Sequence, residues 1–103
     1  MEPIISISEV VEKRETPGGM LGVCATIESS YDKSKHELIA QLGSYVQPEH
    51  SADHLHPGWL PAPETLREQV DKDEASDLAR DMFHRWVRRV RSSVPQTELL
   101  LKE

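Results

Sequence analysis

The sequence predicts an α+β fold: a small antiparallel sheet, built on an N-terminal hairpin, covered by a C-terminal amphipathic helix. Three observations predict it. Residues 4–12 and 20–29 are rich in β-branched side chains and partly alternate. Residues 15–19 between them (Glu-Thr-Pro-Gly-Gly) are turn chemistry. Residues 74–93 repeat apolar side chains at helical spacing. With 103 residues, the chain has the length of one domain.

The hairpin is the simplest element to justify. In the second run Leu21, Val23, Ala25 and Ile27 share one face, and Gly22, Cys24, Thr26 and Glu28 share the other. Residues 34–46 are ambiguous. Ser34 and Glu37 fit a capping box, and Leu38, Ile39, Leu42, Tyr45 and Val46 recur at helical spacing. Yet Leu38, Ala40, Leu42 and Val46 also alternate, and residues 32–35 suit a tight turn. A lone hairpin is marginal in water, so a third strand at 36–46 has value. Local propensity nonetheless tips this segment toward helix, despite Gly43.

A proline-rich connector follows over 48–62, with Trp59 and Leu60 as its expected core anchors. Pro63 suits a first helical turn, so 63–71 is expected to be helical. An unbroken helix from 63 to 93 would be ~46 Å long, against a ~26 Å diameter for a chain of this size. A break near Asp71–Glu74 is therefore expected, with a second helix over 74–93. Its stripe comprises Ala75, Leu78, Ala79, Met82, Phe83, Trp86, Val87, Val90 and Val94. Arg89 alone among its charges projects on the apolar side, where it snorkels past the end or meets a carboxylate from the sheet. Pro95 ends the helix, leaving a leucine-bearing tail at 95–103 as a strand or subunit contact.

Composition excludes several classes. Hydrophobic residues are 37% and charged residues 29%, which is not the signature of disorder at a net charge of −6. Cys24 is the single cysteine, so this is no disulfide scaffold. The longest apolar run is three residues, too short for a membrane-spanning helix. The first residues lack the basic-then-apolar layout of a secretory signal, so a cytoplasmic location is expected. A net acidic surface makes nucleic acid and anionic membranes poor default partners.

The charge is unevenly placed. Residues 62–77 carry six acids and two bases, whereas 78–95 carry one acid and five arginines. Macrodipole complementarity explains much of this. The remainder is a strip of Arg80, His84, Arg88 and Arg91, the first candidate binding surface; its guanidinium groups suit carboxylate or phosphate. Phe83 and Trp86 fall on the apolar side, so an acidic protein partner is expected before DNA or RNA, the nucleic-acid regulator being an alternative.

The second candidate is the connector, where His50, His54 and His56 lie with Asp53. Imidazole and carboxylate suit zinc or another divalent transition metal. The four-residue spacing matches a helix face and the two-residue spacing a strand face, so no regular element presents all three imidazoles. Surface histidines are the simpler explanation. Cys24 reads as a buried small hydrophobe, and Glu9, Glu12, Glu15 and Glu28 as solvated strand charges. With no catalytic constellation in view, the expectation is a non-enzymatic interaction or regulatory module that binds a protein, itself included as a homodimer.

Overall fold

The computed structural model describes residues 1–16, 19–48 and 56–95. Its elements are β1 (Glu2–Thr16), β2 (Gly19–Asp32), β3 (Glu37–Pro48), β4 (Glu64–Gln69) and α1 (Lys72–Ser93). The strands form one antiparallel sheet in the order β1-β2-β3-β4, and α1 packs on it. The expected α+β class is the class observed.

The β1–β2 hairpin is longer than its sequence signal. Imperfect alternation in β1 has a local cause: its register against β2 shifts between Pro3 and Ser6, and again between Val10 and Glu12. Each shift coincides with an apolar doublet, Ile4-Ile5 and Val10-Val11. An extra residue at a bulge lets side chains leave strict alternation. Ile4 and Ile5 both reach the core, and Val11 is buried while Val10 is 47% exposed. The Ser29 hydroxyl accepts from the Ile5 N–H at 3.1 Å and donates to its carbonyl at 3.2 Å, satisfying backbone groups at the first bulge.

Residues 37–48 are a strand, correcting the helix favoured for 34–46. The turn before it is anchored by Asp32, whose carboxylate accepts from the Ser34 N–H at 3.0 Å and hydroxyl at 2.7 Å. These hydrogen bonds hold that carboxyl below its ordinary pKa. His36 closes the turn at φ 51°, the left-handed region. Pairing with β2 then decides the conformation. Leu38 opposes Tyr31, Leu42 opposes Ile27 and Val46 opposes Val23, and all six are at most 3% exposed. Fully burying a leucine or isoleucine contributes about 1.5–3 kcal/mol, far more than the few tenths by which helix propensities separate these residue types. Gly43 suits the strand, because a Cβ there would lie 3.0 Å from the Thr26 hydroxyl.

Residues 64–69 are also a strand, correcting the helix expected over 63–71. β4 pairs with β3 from Leu42–Glu64 to Glu37–Gln69. The expected break falls where the acids cluster, and α1 begins at Lys72 after Asp71. Asp71 makes no side-chain cap bond, although Glu74 N–H donates to its carbonyl at 3.0 Å. Ala75, Ala79, Met82, Phe83, Trp86, Val90 and Val94 are buried, and Leu78 and Val87 pack beside them. Trp86 Nε1 donates to the Gly43 carbonyl, joining α1 to β3, and Tyr31 OH donates to the carbonyl of Val70 just ahead of α1, each at 2.7 Å. Leu60 is buried, as its anchoring role requires. Of the tail at 95–103, all but Pro95 lies outside the described residues.

Candidate functional site

The side of the sheet that carries α1 is not covered evenly. The helix lies against β1, β2 and β3 and stands off from β4. Between α1 and β4 runs an open trough of about 430 Å³. Leu42, Leu66, Met82 and Trp86 supply its apolar lining, and Glu64, Glu68, Arg67, Arg85 and Arg89 its charged rim.

Local geometry places each group. Alternation along β4 turns Glu64, Leu66 and Glu68 to the helix side, because their partners Leu42, Ala40 and Leu38 face the core. Leu66, between two glutamates, is 36% exposed. On α1, at ~100° per residue, Met82, Arg85 and Arg89 lie to one side of Trp86. Arg89 sits over the Trp86 ring, 5.4 Å from its centroid, and reaches Glu64 at 2.5 Å. Its placement on the apolar side thus resolves as a pair with a sheet carboxylate. Both partners are partly exposed, so the ion pair contributes at most about 1 kcal/mol and the cation–π contact a comparable amount. Arg85 pairs with Asp81 one turn back at 2.8 Å, and Arg67 with Glu37 at 3.1 Å. Glu68 makes no ion pair or hydrogen bond with another described residue.

The outer edge of β4 is the second component. Val70 N–H donates to the His36 carbonyl at 3.0 Å. In the antiparallel register this makes 38/68, 40/66 and 42/64 the hydrogen-bonded pairs. The N–H and C=O groups of Thr65, Arg67 and Gln69 therefore point away from β3, along an edge with no strand beside it among the described residues. Trough and edge adjoin. Together they offer apolar contact, guanidinium–carboxylate pairing and backbone hydrogen bonds; among the described residues no thiol, hydroxyl or imidazole side chain lines the trough.

The strip expected on α1 lies elsewhere. Arg80, His84, Arg88 and Arg91 are exposed on the helix face turned from the sheet. Arg91 Nε donates to the Val11 carbonyl at 3.2 Å, tying that end to β1. Arg80, His84 and Arg88 have no ion pair or hydrogen bond with another described residue. Of the metal candidates, His50, Asp53 and His54 lie outside the described residues, and His56 is exposed. Among the described residues no group of three metal-ligating side chains converges.

Cys24 is buried on the sheet face away from α1, opposite Tyr45; burial raises its thiol pKa, partly offset by a hydrogen bond from Tyr45. Glu9, Glu15 and Glu28 are exposed, and Glu12 pairs with Arg14 at 2.5 Å. Burial also raises the Tyr31 phenol, helped by Asp71, Asp32 and Asp73.

Sequence reasoning missed Glu64, Leu66, Glu68 and Arg85 as site residues. The available signal was a lone leucine between glutamates at two-residue spacing, together with two arginines four apart beside Trp86. Comparison with models of known protein families, with characterised proteins and with solved structures finds no match. No helix among the described residues is long and apolar enough to cross a membrane.

Proposed function

We propose that this protein is a non-enzymatic protein-interaction or regulatory module, whose receptor surface is the α1–β4 trough and the adjoining strand edge. The observation that carries this reading is the junction of an apolar trough with strand backbone that no other described strand pairs. An extended segment adding to β4 gains main-chain hydrogen bonds from the edge and places alternate side chains in the trough. The rim carries both charge signs, so it favours a segment of mixed charge with an apolar residue at its centre. The Arg80–Arg88–Arg91 ridge faces away from this surface and is not part of it.

A display selection of random extended peptides against the full chain tests this. The expected result is enrichment of peptides that shift the amide resonances of β4 and the indole resonance of Trp86, with binding lost in Leu66→Arg. Equal enrichment on Leu66→Arg, or shifts confined to other surfaces, overturns the reading.

A further inference from the structure

We infer that the segment received at the β4 edge belongs to another protein, docks antiparallel to β4, and reads basic–acidic–apolar from its N-terminal side. This rests on the reading of the trough and edge as a protein-binding surface and names the chemistry of its partner.

The backbone of the edge sets the register. Antiparallel pairing is the stabler mode per residue and continues the sheet, whose strands are antiparallel throughout. Thr65, Arg67 and Gln69 direct N–H and C=O groups outward, so each exchanges two hydrogen bonds with the residue opposite it. Pro63, two residues before Thr65, has no N–H to give, so the ladder closes at Thr65. From its N-terminus the docked run therefore lies opposite Gln69, Glu68, Arg67, Leu66 and Thr65.

Three positions of the run are chosen by what faces them. Leu66 stands on the helix side, 36% exposed, at a non-hydrogen-bonded position where opposed side chains come closest. An apolar residue opposite it extends the floor of the trough. Glu68 is on the same side and at the same close spacing, between the ladder bonds of Arg67 and Gln69. It is exposed and has no ion pair or hydrogen bond with another described residue. A Lys or Arg opposite Glu68 forms a cross-strand pair. Arg67 projects to the other face, where it holds Glu37 at 3.1 Å with its side chain still 57% exposed. Its guanidinium has donors left for the carboxylate of an Asp or Glu opposite.

The other rim charges do not enter the pattern. Glu64 is held by Arg89 and lies beyond the last ladder bond, and Arg85 is held by Asp81. The order of the two charges carries the specificity. Exchanging them sets an acid against Glu68 and a base against Arg67, and both like-charge pairs are unfavourable.

Binding of three synthetic peptides to the full chain, followed by the amide resonances of β4, tests the inference. Each carries a central triplet between threonines: Lys-Glu-Leu, Glu-Glu-Leu or Glu-Lys-Leu. The expected result is that the first binds about fivefold more tightly than the second, and the third most weakly. In Glu68→Lys the preference between the first two reverses, which a folding defect does not produce. Arg67→Ala loses the preference for Glu in the middle position and keeps that for Lys before it. Equal affinity for all three peptides overturns the inference, as does an unchanged preference in Glu68→Lys. A mass that doubles with concentration, with no peptide able to compete, assigns the edge to a second copy and overturns it too. If peptides bind in a Leu66-dependent manner without this charge order, the inference falls and the broader reading survives. If no peptide binds at Leu66, both fall.

Discussion

The two flanks of α1 treat the sheet differently. Toward β1 the helix presents Phe83, Val87, Val90 and Val94, and the interface is closed: Phe83 is 2% exposed and Val90 fully buried. Toward β4 it presents Met82 with Arg85 and Arg89, and the trough stays open. Two guanidinium groups on one side of the wheel suffice for this difference, since buried arginines require partners and water. One helix therefore seals a core along one side and displays a surface along the other. Substitutions on the two flanks should therefore have unlike effects.

The largest effect should come from the sealed flank. Phe83→Ala is expected to destabilise the fold by about 3–5 kcal/mol, through lost burial and the cavity left behind. Chemical denaturation measures it, and a loss below about 1 kcal/mol would mean that this flank is as loose as the other. On the open flank, Arg89→Ala is expected to cost no more than about 2 kcal/mol, because its ion pair with Glu64 and its contact over the Trp86 ring are both solvent-accessible. The same measurement serves, and a loss equal to that of Phe83→Ala would abolish the distinction between the flanks.

The smallest effect concerns acid. Glu2 bonds to Lys72, with Lys33 nearby, and the Lys72 hydrogen bond is the main reason its carboxyl titrates below its ordinary value. A carboxylate depressed in the folded state contributes stability that is present above its unfolded pKa. That contribution is lost as the pH falls through the lower, folded value. Melting temperatures measured from pH 6 downward should fall less steeply in Lys72→Met than in the wild type below about pH 4.5. Identical slopes would show that the ion pair is idle.

Much of this arrangement can be read from the chain. The stripe from Ala75 to Val94 and the alternation from Leu21 to Ile27 are strong local periodicities, and both elements form where they indicate. Arg89 was legible too, as a charge on the wrong side of the wheel. The trough was not, because it depends on β4. Glu64-Thr65-Leu66-Arg67-Glu68-Gln69 is mostly composed of good helix formers. Its one apolar residue is too little to show a period of two or of 3.6.

What the sequence by itself determined is therefore the class, the hairpin and the amphipathic helix with Arg89 on its apolar side. All of these follow from the spacing of apolar and charged residues within one segment. Only the tertiary structure decided that residues 37–48 and 64–69 are strands. In the first, opposition to β2 outweighs a locally plausible helix. In the second, the unpaired edge of β3 recruits a segment whose own propensities point elsewhere, because backbone hydrogen bonds are satisfied between strands distant in sequence.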